Sequence, residues 1–110
     1  MALVDNAAIH DSILGFHAQQ VVEKAIKAVL FRLAVMVPRT HNIAQLLLAL
    51  DAATIGAPPH AEVLDALNPY AVAARYGALD AGELDRAVTL AWVNDLLAWA
   101  DAATGLNGSP

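Results

Sequence analysis

Phe16-His17-Ala18-Gln19-Gln20-Val21-Val22-Glu23-Lys24-Ala25-Ile26-Lys27-Ala28 reads as helix. Alanine and long unbranched side chains lose little freedom in a helix, and no glycine or proline interrupts the run. Extended on both sides, the apolar set is Leu14, Ala18, Val21, Val22, Ala25, Ile26, Val29, Leu30 and Leu33, while Gln20, Glu23, Lys24 and Lys27 crowd the remaining arc. A helix apolar over most of its circumference is a central one, with neighbours on several sides. Asp11 is placed to cap its start, at Asp11 or Ser12, and Pro38 with the constrained residue before it stops the helix after Met36.

Further helices follow the same logic. Asn42-Ile43-Ala44-Gln45 predicts a capping box, Asn42 capping and the Gln45 amide returning, ahead of an apolar face of Ile43, Leu46, Leu47 and Leu50 that ends before Gly56-Ala57-Pro58-Pro59. An element over His60 to Leu67 is restarted by Asn68-Pro69, and Gly77 closes the short helix that results. A second box, Asp80-Ala81-Gly82-Glu83, opens a last helix running to Thr104, where Gly105 supplies a left-handed C-cap. Leu106 to Pro110 read as a short flexible tail, so residues 1–105 form one domain. No stretch alternates at period two. The fold class is all-α, a helical bundle with short connections.

Composition narrows the function. Hydrophobic residues make up 58% of the 110, with few aromatics, which favours helix over sheet and gives one real core. Cysteine is absent, so no disulfide or thiolate metal site exists, and a reducing cytoplasmic setting fits. The N-terminal residues lack a basic region and a long apolar run, so no signal peptide is expected. Val21 to Val37 is broken by Glu23, Lys24, Lys27 and Arg32, too charged to span a membrane. A net charge of −5 gives nucleic acid no general reason to bind, and no DNA partner is expected. Lys24, Lys27, Arg32 and Arg39 cluster locally, which the sequence explains best as solvated charges at the rim of a core helix.

Three blocks in order carry a resemblance: Phe16 to Ala28, then Pro38-Arg39-Thr40-His41-Asn42, then Tyr70-Ala71-Val72-Ala73-Ala74-Arg75-Tyr76. Together they make the chain resemble the HEPN domain family from about Ile9 to Ala103. The resemblance implies a four- or five-helix up-and-down bundle, commonly a homodimer, and often a partner that is a minimal nucleotidyltransferase, including toxin–antitoxin pairs. It also implies, for some members, metal-independent ribonuclease activity from an arginine followed after four to six residues by a histidine. Here Arg32, Arg39, Arg75 and Arg86 have no histidine at that spacing, so no catalytic residue is assigned and a non-enzyme is expected. The family's long first helix is shortened or missing here, because only Leu3, Val4, Ala7, Ala8 and Ile9 precede the central helix, enough for a turn or two.

The candidate ligand-binding residues are His17, Gln20, Lys24, Arg39, Thr40, His41, Arg75 and Tyr76. His17, with Gln20, Glu23 and Lys24 on one arc, reads either as a contact in an inter-helix groove or as a buried polar network, the latter being the commoner outcome. Arg39, Thr40 and His41 precede a helix N-terminus, an arrangement that suits a phosphate, though a local bond from His41 to the turn is the simpler reading. Arg75-Tyr76 closes a short helix, where a cation complements the dipole. Trp92 and Trp99 read as core or dimer contact. No histidine pair has the i,i+4 spacing of a metal site, and no cofactor is implied.

The expected function is therefore a non-catalytic HEPN-like module that dimerises and assists a nucleotidyltransferase-type partner, with a nucleotide as its candidate ligand. Two alternatives are an atypical ribonuclease toxin using Arg39 and His41, or Arg75, across a dimer interface, and a purely structural oligomerisation module.

Overall fold

A computed structural model of the chain describes residues 2–70 and 85–105, with side chains from residue 11 onward within those ranges. Among the described residues the elements are α1 (Ala2–Arg32), α2 (Ile43–Ala52) and α3 (Arg86–Thr104), with a 3-10 turn at Leu64–Leu67. A further helical turn opens at Asn68. There is no strand among the described residues, and the protein is an all-α bundle.

α1 differs from expectation at both ends. It begins at Ala2, so Leu3 to Ile9 extend the central helix instead of forming a separate turn, and α1 reaches roughly 46 Å at 1.5 Å per residue. No breaker separates Ala2 from Ser12, so nothing in the backbone calls for a start at Asp11. Asp11 lies inside the helix, and its Oδ1 accepts a 2.7 Å bond from Arg86 Nε at the start of α3. The other end comes at Arg32, earlier than Met36. Ala34 takes a left-handed φ of 62°, its N–H bonds the Phe31 carbonyl at 3.1 Å, and the Val35 N–H bonds the Leu30 carbonyl at 2.9 Å. These two bonds are the Schellman pattern that ends a helix.

α2 starts where expected, at the Asn42 cap, whose Oδ1 accepts from the Ala44 N–H at 2.9 Å. The predicted return from Gln45 is replaced: Thr40 Oγ1 accepts from the Asn42 N–H at 3.0 Å. His60 to Leu67 is a tight turn and a single 3-10 turn, not an α-helix. α3 opens later than predicted, with Asp85 as N-cap, its side chain accepting from the Val88 N–H at 3.0 Å. It ends at Thr104 with Gly105 left-handed at φ 74°, as read from the sequence. The box at Asp80 to Glu83, the helix end at Gly77 and the tail lie outside the described residues.

The core forms where one face of α1 meets the other elements. Val22, Ile26, Val29 and Leu30 recur at helical spacing and pack with Ile43, Leu46 and Leu50 of α2, Leu64 and Leu67 of the 3-10 turn, and Leu96 and Ala100 of α3, all buried. α1 packs most extensively on α3 and also on α2 and the 3-10 turn. It is central, yet not enclosed on all sides, for Ile13 and Phe31 on α1, and Leu33 and Met36 just past its end, remain exposed. Trp92 and Trp99 pack partly buried against the core. Near the N-terminal half, a Cβ on Gly15 would collide with the ring of buried Tyr70, so the glycine admits the close approach of that ring to α1.

Candidate functional site

Gln19, Glu23 and Lys27 lie one helical turn apart on α1, so their side chains stack along one line. Gln19 and Glu23 point inward and are buried, at 0% and 3% exposure. The loop from α1 to α2 brings His41 over them. Gln19 Nε2 donates to the His41 carbonyl at 2.8 Å and to Glu23 Oε1 at 3.2 Å. His41 Nδ1 lies 3.1 and 3.0 Å from the two Glu23 oxygens, and Lys27 Nζ lies 2.9 Å from Glu23 Oε2. Gln20 closes the group by donating to Gln19 Oε1 at 3.0 Å.

Burial pushes the Glu23 carboxyl up, but hydrogen bonds from Lys27, His41 and Gln19, together with the Lys27 charge, outweigh it and hold the group below its ordinary value. An ionised Glu23 fixes the imidazole with its proton on Nδ1, which leaves the lone pair of a neutral ring on Nε2. The His41 side chain is 60% exposed beyond this clasp. The arrangement joins the α1–α2 connection to α1 through both the backbone and the ring of His41.

The start of α2 is equally occupied. The N–H groups of Asn42, Ile43, Ala44 and Gln45 bond Thr40 Oγ1, Asn68 Oδ1, Asn42 Oδ1 and the Asn42 carbonyl, at 3.0, 3.0, 2.9 and 3.1 Å. Asn68 Nδ2 also donates to Asn42 Oδ1 at 3.0 Å, so Asn68 ties the following helical turn to α2. An anion bound at this helix end would have to displace side chains from the donors it needs.

The sequence-predicted residues are thus only partly brought together. Thr40 and His41 join the cluster region, with Gln20 at its edge. His17 and Lys24 lie on the exposed side of α1, away from any buried network; the His17 ring rests 5.8 Å from that of Phe16. Arg39 is exposed beside the loop, and Arg75 and Tyr76 lie outside the described residues. Glu23 and Gln20 belong to a hydrogen-bonded polar network, the commoner reading of their arc, whereas Gln19 and Lys27 were missed as site residues. The i,i+4 spacing of Gln19, Glu23 and Lys27 was the available signal.

Two small clefts are lined by described residues. One, of about 50 Å³, lies between Leu47, Leu50, Ile55 and Pro58. The other, of about 110 Å³, lies between Leu67, Tyr70, Thr89 and Trp92. Both fall well below the roughly 300 Å³ at which small-molecule sites begin. No group of three or more potential metal ligands occurs among the described residues. No described helix is long and apolar enough to cross a membrane.

A polar clasp on a long central helix, locking the loop that leads into the second helix, defines an all-helical bundle module. The family model for the HEPN domain matches residues 9–101, most of the chain, and the protein belongs to the HEPN domain family. No curated protein and no solved structure matches it.

Proposed function

We propose that this chain is a non-catalytic, cytoplasmic HEPN module that pairs with a second copy of itself and assists a nucleotidyltransferase-type partner. Nucleotide binding and a toxin–antitoxin role belong to that assembly in this reading. The observation that supports it is the commitment of the polar groups near His41: Glu23, Lys27 and Gln19 bond one another and His41, and the first N–H groups of α2 are filled from within the chain. Phosphoryl chemistry needs donors held ready for developing charge, and here those donors already have partners.

A second reading, an atypical ribonuclease, draws on one specific feature. A buried carboxylate holding Nδ1 of a largely exposed imidazole is the orientation a general base requires, and Arg39 is exposed two residues away. Incubating the purified protein with a structured and an unstructured RNA, without added metal, separates the two. Intact RNA is the expected result. Cleavage that disappears in both His41→Ala and Glu23→Gln would establish the second reading instead. The partner half is checked by co-expression with the protein encoded beside its gene: co-elution with a nucleotidyltransferase supports it, and separate elution leaves only an oligomerisation module.

A further inference from the structure

α3 has two faces of different character. One buries Thr89, Leu96, Ala100 and Thr104 against the bundle. The other presents Leu90, Ala91, Asn94, Leu97, Ala98 and Asp101, all exposed, with Leu90 at 49% and Leu97 at 41%. At 3.6 residues per turn these six fall within about 60° on either side of Asn94. Leu90 and Leu97 occupy one flank of that line, Ala91 and Ala98 the other, and Asp101 lies near the centre, about two turns beyond Asn94. Arg86 stands about two turns before Asn94, on the leucine flank, with its side chain 54% exposed.

We infer that a second copy of the chain packs on this face, the two α3 helices running antiparallel about a two-fold axis at Asn94. The inference rests on the homodimer of the proposed function and specifies where its interface lies. Charge decides the direction. Antiparallel pairing brings Arg86 of each copy to Asp101 of the other, one opposite-charge contact at each end of the seam. Parallel pairing would instead set Asp101 against its own counterpart, and like charges facing one another oppose association.

Shape agrees with charge. A two-fold axis perpendicular to the helices keeps each flank on its own side, so Leu90 lies beside Leu97 of the second copy and Ala91 beside Ala98. The leucine side supplies apolar contact, and the alanine side lets the two backbones approach to the 8 Å end of the usual interhelical range of 8–10 Å. Asn94 meets its own counterpart on the axis, where each amide both donates and accepts, a device that fixes register in paired helices. Arg86 already gives its Nε–H to Asp11, and the rest of its guanidinium has four more N–H donors for Asp101. Among the other exposed apolar residues, Phe31 and Met36 lack this self-complementarity: Arg32 and Arg39 flank that stretch in the sequence, and no acidic residue lies between residues 24 and 50 to answer them.

The chain contains no cysteine, so one introduced thiol gives a clean test. Asn94→Cys should form a disulfide-linked dimer under mild oxidation within minutes, while Leu48→Cys, an exposed apolar position on α2, should not. Leu90→Glu should keep its helical circular dichroism and shift the light-scattering mass from dimer to the 11.5 kDa monomer. If the wild type scatters as a dimer but Asn94→Cys stays uncrosslinked, or Leu48→Cys crosslinks as fast, the interface lies elsewhere and this inference fails while the homodimer stands. A wild-type monomer that Asn94→Cys also fails to trap overturns both.

Discussion

Glu23 is ionised in a place where burial works against it, so its contribution depends on its neighbours staying put. A carboxyl held below its ordinary value, about 4.3 for glutamate, stabilises the fold above that pH, and the contribution is lost as the pH falls through the depressed folded value. Urea titrations of the wild type and Glu23→Gln should therefore show a stability gap that is largest above about pH 5 and narrows below 4.3. A gap unchanged down to pH 3 would mean that the charge of Glu23 contributes nothing. Gly15 is the other residue whose identity matters singly. Gly15→Ala would gain helix propensity of up to about 1 kcal/mol, yet its Cβ would have to displace the Tyr70 ring. Overpacking of that kind costs about 1–3 kcal/mol, so a net loss is expected in thermal or urea unfolding despite the better helix former. At this scale the site was half legible. Thr40 and His41 stood out because they precede a capped helix, whereas Gln19 looked like one more polar residue beside Gln20. Which of two adjacent glutamines turns inward depends on where α2 packs, and that is not written in the local pattern.

Helix ends tell the same story one level up. The end of α3 was readable because Gly105 occupies the left-handed position. α1 and α2 use the same termination with residues that give no such signal, Ala34 at φ 62° and Thr54 at φ 58°. In α2 the Thr54 N–H bonds the Asp51 carbonyl at 2.9 Å and the Ile55 N–H bonds the Leu50 carbonyl at 3.0 Å, repeating the bonds at Ala34 and Val35. The apolar contact typical of this motif is present too: Val35 and Ile55 pack against the cluster that contains Leu30 and Leu50. Core packing thus stops both helices, and the sequence offered only the later Pro38 and Gly56 as breakers. Ala34→Gly and Thr54→Gly should each stabilise the protein by about 1 kcal/mol, because glycine removes the left-handed strain. Loss of stability at both positions would show that these conformations are not strained. Asp85→Ala should act the other way, lowering stability by about 1 kcal/mol through the lost cap on α3.

Across the whole molecule, α1 is the shared wall. α2 and α3 each lean on it more than on one another, and their buried leucines join Val22, Ile26, Val29 and Leu30 of α1 in one core cluster. This arrangement was legible in outline from the broad apolar surface of α1, and its exposed remainder, Ile13 and Phe31, was not, because composition does not say which stripe stays uncovered. One consequence is that damage on α2 should be felt on α3 through α1. Both tryptophans, Trp92 and Trp99, lie on α3, so their fluorescence reports that helix, while far-ultraviolet circular dichroism reports all helices together. Leu46 on α2 is fully buried, and Leu46→Ala should cost about 2–5 kcal/mol. If α1 couples the two sides, the tryptophan and dichroism transitions of Leu46→Ala move to lower urea together and remain superimposable, as for one cooperative unit. Should α2 instead be a separable layer, the dichroism would lose part of its amplitude early while the tryptophan midpoint stayed at its wild-type position. Coincidence is expected, because Ile26 and Leu30 are fully buried within the same core cluster as Leu46 and Leu96, and a cavity at Leu46 removes contacts from the helix on which α3 rests.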